Sequence, residues 1–280
     1  MRGMVPITVL VLCSAAPPSA MAFRCSRVGA QHGPSLIWGS RQIDWWAAEE
    51  LTRDLVDRAA TLAAIQAGYA AWADVDCSDL ELRYAGMQAG LRAEATKEGP
   101  NQNIIAFVPR GWPYDPLVIG VTTSAYDPET GVLYDADIEL NDQHFLFTLA
   151  ELGCNAEPGS MDLQNTVTHE VGHVIGLDHP PNSQQYEATT MFASAPPCEI
   201  SKRTLEADDR LGICTIYPAG QPTQQCFLPE GPSFLVLSED DGFGCRAVRA
   251  RPRWDVSALG WVLLAVGLLL RWWRDSPEKA

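Results

Sequence analysis

The stretch His169-Glu170-Val171-Gly172-His173-Val174-Ile175-Gly176-Leu177-Asp178-His179 constrains this chain more than any other. Histidines four residues apart leave a helix from one face, one turn apart. Two imidazoles so placed can hold one zinc ion at about 2.0–2.1 Å each. Glu170 follows the first of them and can reach a metal-bound water without ligating the metal. Gly176 tolerates positive φ, so the helix can end sharply there and the chain can deliver His179 as a third ligand. Three nitrogens leave a fourth position open to water, the arrangement of a catalytic rather than a structural zinc. Only five histidines occur, and the other two, His32 and His144, have no ligand-like spacing.

Periodicity places this motif in an α+β chain. Leu51, Leu55, Ala59, Leu62, Ile65, Tyr69 and Trp72 recur at steps of three and four, which predicts a long helix over Glu49–Trp72. Strands are expected at Gln42–Trp46, Leu80–Tyr84, Ile104–Val108, Leu117–Thr123 and Val132–Leu140, with a turn over 126–131. Asp162 is placed to cap a helix that starts at Leu163, carries the histidines and stops at Gly176. A last helix is expected around Leu205–Tyr217. Residues 219–232, rich in Pro, Gln and Gly, read as a linker, and Phe234–Leu237 with Phe243–Val248 as a hairpin.

The full motif, H-E-x-x-H-x-x-G-x-x-H, resembles the signature of the metzincin clan of zinc endopeptidases, and its surroundings resemble the matrixin branch. Met191, in Thr189-Thr190-Met191-Phe192, is similar to the methionine of the turn beneath the metal in that clan. Leu205–Tyr217 resembles the closing helix of matrixins. Ala71-Trp72, Leu80–Tyr84 and Asn103–Phe107 resemble the end of their first helix and the strands that follow. The resemblance covers roughly residues 36–218 and is strongest over 162–217.

It implies a zincin fold with a twisted, mostly parallel mixed sheet, two long helices and a C-terminal helix. It also implies peptide-bond hydrolysis, with His169, His173 and His179 on one catalytic Zn2+, Glu170 as general base and Met191 as the structural turn. The substrate chain is expected antiparallel to an edge strand near Ile119–Thr123, with Phe192 and the residues after it shaping the specificity pocket. Several departures stand out. Pro180 follows the third ligand where matrixins usually have Ser and serralysins have Pro. The cysteine-switch propeptide motif is absent, and the usual calcium- and structural-zinc-binding loop is missing or rebuilt. No Tyr stands two places after Met191, so a tyrosine ligand is not expected. The alternative reading is an inactive zinc-binding module in adhesion or assembly; the presence of Glu170 favours the enzyme.

Five carboxylates, Asp127, Glu129, Asp135, Asp137 and Asp142, could bind Ca2+ but read better as a solvated acidic edge. Asp178 could orient His179 or only face water, and Asp208 and Asp209 read as structural. A net charge of −15 disfavours nucleic acid as a partner; protein or peptide substrates are expected, and oligomeric state is open.

The two ends add expectations about location. Arg2, the apolar Met4–Cys13 and Ala20-Met21-Ala22 have the layout of a secretory signal peptide over residues 1–22. A short pro-segment over 23–40 is left open. Seven cysteines remain after the signal: Cys25, Cys77, Cys154, Cys198, Cys214, Cys226 and Cys245. No C-x-x-C pair occurs, so disulfides are expected, with an odd thiol and no pairing legible. Residues 251–280 form a separate tail. Val256–Leu270 is uncharged and apolar and runs into Arg271-Trp272-Trp273-Arg274, which suggests a membrane anchor or sorting tag across 256–273. The chain is thus expected to be extracellular, periplasmic or anchored at the cell surface.

Overall fold

The computed structural model describes residues 23–29, 33–94, 101–150, 153–154, 158–182 and 184–226. The expected signal segment, hairpin and apolar tail lie outside the described residues. Among the described residues no helix is long and apolar enough to cross a membrane.

One six-stranded sheet forms the frame. Strands β2 (Ile37–Trp38), β3 (Gln42–Ala48), β4 (Glu81–Gln88), β5 (Asn103–Phe107) and β7 (Val132–Leu140) pair in parallel, in the order β2-β7-β5-β3-β4. Strand β6 (Gly120–Tyr126) pairs antiparallel with β7 and, among the described residues, forms an edge. Two long helices, α1 (Arg58–Ala73) and α2 (Leu163–Val174), pack against each other, and α3 (Ala207–Ile216) closes the chain. This is the mostly parallel α+β architecture that the family resemblance implies. Short strands β1 (Arg24–Cys25), β8 (Leu146–Thr148), β9 (Ser160–Asp162) and β10 (Leu177–Asp178) complete it.

The packing of α1 on α2 explains several residues. Ile65, Tyr69 and Trp72 are buried on one face of α1, and the Trp45 ring stacks on Tyr69 with centroids 3.8 Å apart. Trp72 Nε1 donates to the Thr168 carbonyl across 2.7 Å. A Cβ at Gly68 would lie 2.6 Å from Val167 Cγ1; glycine there lets the two helices close. Burial of these aromatics is worth roughly 2–3 kcal/mol each.

Helix α1 begins at Arg58, not at Glu49 as periodicity suggests. Asp57 stops it, accepting the backbone N–H groups of Ala59 and Ala60 at 3.0 Å. The residues before it are spent on tertiary contacts. Thr52 donates to Asp142, and the Phe147 N–H donates to Asp54. The expected strand at Leu117–Thr123 is shifted to Gly120–Tyr126, because pairing with β7 sets its bounds.

The carboxylates expected on a solvated edge are in part buried. Asp135, Asp137 and Asp142 are 1–2% exposed. Asp137 accepts from Ile104 and Glu94 N–H groups, and both oxygens of Asp135 are buried without a hydrogen-bond partner among the described residues. Burial foremost, and then the Asp137 carboxylate, pushes Asp135 up to about 7. Burial likewise pushes Asp137 up to about 6. Asp127 instead caps its own turn through the Glu129 and Thr130 N–H groups.

Among the described residues three disulfides tie the fold: Cys25–Cys226, Cys77–Cys214 and Cys154–Cys198. The first brings the start of the expected linker back onto the body. There Arg27 donates to the Cys226 carbonyl and the Ser35 N–H donates to the Gln225 side chain. The remaining Cys245 lies outside the described residues.

Candidate metal centre

Helix α2 starts where expected. Asp162 accepts the Asn165 N–H at 2.9 Å, and its carboxylate also meets the Arg203 guanidinium at 2.6 and 2.7 Å. Leu163, Val167, Val171 and Val174 turn into the core, which sends His169 and His173 out together on another face. Helix α2 ends at Val174, and Gly176 takes φ +93. That left-handed conformation favours glycine, and a Cβ there would strike the Leu36 carbonyl. The chain reverses and brings His179 back over the helix.

The three rings converge. Nε2 of His179 lies 3.2 Å from Nε2 of His169 and 3.1 Å from Nε2 of His173. Nδ1 of His169 faces the Thr190 carbonyl at 2.6 Å, and Nδ1 of His173 faces the Leu177 carbonyl at 2.9 Å. A carbonyl only accepts, so each Nδ1 carries the proton and each Nε2 presents a lone pair. Lone pairs this close repel unless a cation lies between them. Zinc–nitrogen bonds of about 2.0–2.1 Å in a tetrahedron place neighbouring nitrogens about 3.3 Å apart, close to the spacing found. The donor set fits zinc. Among the described residues these histidines form the one group of three or more ligand-type side chains whose donor atoms gather within 4.8 Å. The five carboxylates weighed for calcium do not gather in this way.

Burial foremost lowers His169 well below the ordinary histidine range, followed by the Lys202 ammonium and the other two rings. Burial, then His173 and Lys202, does the same for His179. Both imidazoles are thereby held neutral, the form that ligates a metal.

Glu170 is 1% exposed. Thr122 Oγ1 on β6 donates to its Oε2 across 2.7 Å, and a Cβ at Gly120 would lie 2.8 Å from its Oε1. The edge strand therefore both holds this carboxylate and leaves room for it. Met191 packs beneath the site against Gly172, where an added Cβ would meet its sulfur. Asp209 fixes that turn, accepting the Thr190 N–H at 2.8 Å and the Met191 N–H at 3.3 Å. Its reading as a structural anchor holds. Asp178 accepts the backbone N–H of His179 at 2.7 Å, so its carboxylate steadies the loop rather than the ring.

His169, Glu170, His173 and His179, named by the motif, and Met191, named by the family resemblance, thus come together. Thr122, Gly120 and Lys202 are additions of the fold: they approach from elements remote in sequence, and no local spacing marks them.

The N-terminal segment takes part as well. Strand β1 pairs antiparallel with β10, the two residues that lead into His179. The Ser26 N–H donates to the Gly176 carbonyl at 2.9 Å.

Comparison with known proteins agrees with this geometry. The family model described as matrixin matches residues 38–218, more than half of the chain. Metalloendoproteinase 1-MMP of Arabidopsis thaliana is 31% identical over 161 residues, covering 57% of this chain and 38% of that protein. The chain thus spans well under half the length of that relative. The converging imidazoles, the buried glutamate and the methionine turn sit in the segment that the family model matches, and the chain belongs to the matrixin family.

Proposed function

We propose that the chain is a zinc-dependent endopeptidase, with His169, His173 and His179 holding one Zn2+ and Glu170 as general base. The observation that carries this reading is the convergence of three Nε2 lone pairs beside a buried carboxylate, along an edge strand. When bound, the metal supplies Lewis acidity, lowering the pKa of a water and polarising the scissile carbonyl. Glu170 accepts the proton of the attacking water and passes it to the leaving amine. Thr122 holds the carboxylate for that transfer. Among the described residues no strand pairs with the other side of β6, so an extended substrate can add to it through backbone hydrogen bonds.

Export is proposed alongside: the signal-like residues 1–22 and the three disulfides suit an oxidising compartment. Contact of the apolar 256–273 run with a membrane is proposed on its composition.

The test is Glu170→Ala with zinc content measured on the same preparation. The reading expects bound zinc to persist and cleavage of a mixed peptide library to fall by about 10²–10⁴. Cleavage at the parent rate by the zinc-loaded variant overturns it.

A further inference from the structure

Helix α2 ends at Val174, so the carbonyls from there on have no further helical turn to donate to them. Four in a row, Val174 to Leu177, are met instead from remote parts of the chain. Trp38 Nε1 donates to the Val174 carbonyl at 2.7 Å, and the Tyr217 hydroxyl to that of Ile175 at 2.9 Å. Ser26 takes the other two. Its N–H donates to Gly176 at 2.9 Å and its hydroxyl to Leu177 at 3.1 Å. The Leu177 carbonyl also accepts from His173 Nδ1 at 2.9 Å. Resting on the zinc site of the proposed endopeptidase, we propose that Ser26 is a positioning residue for that site. By fixing the Leu177 carbonyl, its hydroxyl fixes the ring of His173 and the short step from there to His179.

A carbonyl oxygen has two lone pairs and can accept from both donors. One donor stands on α2 and the other beside β1, so the Leu177 peptide is held from both sides. Ser26 is itself firmly set. It is 3% exposed, its carbonyl accepts the Leu36 N–H at 2.8 Å, and its neighbour Cys25 is bonded to Cys226. A peptide free to rock would turn the imidazole with it and move Nε2 away from the point where the three lone pairs meet. The first ligand is held in a similar way. The Thr190 carbonyl faces His169 Nδ1, and Asp209 accepts the Thr190 N–H. Each of the two helical ligands thus leans on a carbonyl whose residue is pinned by a distant side chain. Ser26 lies 151 residues before Leu177, and nothing in the histidine spacing marks it.

The experiment uses the full chain loaded with zinc or with Co2+. Competition with a chromophoric chelator gives the zinc affinity, and the visible ligand-field bands of the Co2+ form report the geometry at the metal. Neither readout requires turnover. Ser26→Ala removes the hydroxyl alone; the bonds to Gly176 and Leu36 run through the backbone, so the fold is expected to persist. Partners of ligating histidines are worth about 10–100-fold in metal affinity, and a loss of about tenfold or more is expected here, with a shift of the Co2+ bands. Ser26→Thr, which restores a hydroxyl, is expected to stay within about threefold of the native affinity. Ser35→Ala controls for a loosened N-terminal segment, because the Ser35 hydroxyl bonds to the Cys226 backbone instead. It is expected to keep the native affinity and bands.

Native affinity and bands in Ser26→Ala overturn the proposal. So does an equal loss in Ser35→Ala, or a Ser26→Thr protein as weak as Ser26→Ala, since either removes the special part of this hydroxyl. Zinc bound tightly by the native chain with no peptide cleaved would sink the endopeptidase reading alone, because the affinities still decide the role of Ser26. A native chain that binds no zinc would sink both.

Discussion

Thr122 and Glu170 are 48 residues apart in sequence, yet the threonine hydroxyl donates to Glu170 Oε2 across 2.7 Å in a buried setting. A hydrogen bond to a charged group is worth about 1.5–3 kcal/mol. Thr122→Val keeps the shape and removes the donor. It is expected to lower kcat/KM by about tenfold or more while zinc content stays at one per chain. Steady-state kinetics with metal analysis checks this; an unchanged kcat/KM would mean the contact has no part in proton transfer.

Gly172 sits between His169 and His173, where a Cβ would press on Met191 and lie 3.0 Å from Trp72. Gly172→Ala is expected to cost about 1–3 kcal/mol through overpacking. Met191→Ala opens a cavity and is expected to cost about 2–5 kcal/mol, whereas Met191→Leu keeps the volume and costs under about 1.5 kcal/mol. Denaturant unfolding of the three variants checks the order.

Asp209 is joined to the first histidine in two steps: its carboxylate accepts from Thr190 and Met191, and the Thr190 carbonyl faces His169 Nδ1. Asp209→Ala leaves two buried N–H groups without that acceptor and frees the ring to turn. Partners of ligating histidines are worth about 10–100-fold in metal affinity. Competition with a chromophoric chelator is expected to show a loss of that size.

The pair Asp135 and Asp137 makes stability depend on pH. Their folded values, about 7 and about 6, lie above the ordinary carboxylate value. Between that value and about 7 the folded chain binds more protons than the unfolded chain. The pair's contribution is therefore full at acid pH and is lost as pH rises through this window. Asp135→Asn removes the charge. It is expected to leave stability near the parent's at pH 4 and to exceed it by about 1–3 kcal/mol at pH 8. Chemical unfolding at the two pH values tests the sign; a variant less stable at pH 8 contradicts it.

The Cys25–Cys226 bridge ties β1, and through it β10, to the end of the described chain. Cys25→Ser with Cys226→Ser is expected to cost about 2–5 kcal/mol. Because β10 leads into His179, the loss should also show as faster zinc release in a stopped-flow chelator assay.

Features governed by near neighbours were legible in the sequence. The four-residue histidine spacing, the Asp162 cap, the glycine exit at Gly176 and the bounds of β7 each depend on residues within a turn or a strand. The start of α1 was not legible. The apolar spacing runs on through Leu51 and Leu55, and only tertiary contacts of Thr52 and Asp54 reveal that those residues serve another part of the fold. The shift of β6 follows from pairing with β7, which is non-local. Thr122, Gly120 and Lys202 reach the site across the sheet or from the loop after the methionine turn, and cysteine pairing depends on which ends of the chain meet. The buried Asp135 was hidden for the opposite reason: acidic residues are usually solvated, and here the carboxylate is buried.

Zinc K-edge X-ray absorption on the purified, zinc-loaded protein tests the central claim most directly. The account predicts one zinc per chain with three imidazole nitrogens at about 2.0–2.1 Å and one further light atom, and the loss of one imidazole in His179→Ala. A spectrum with sulfur ligation, or one that His179→Ala leaves unchanged, would contradict it.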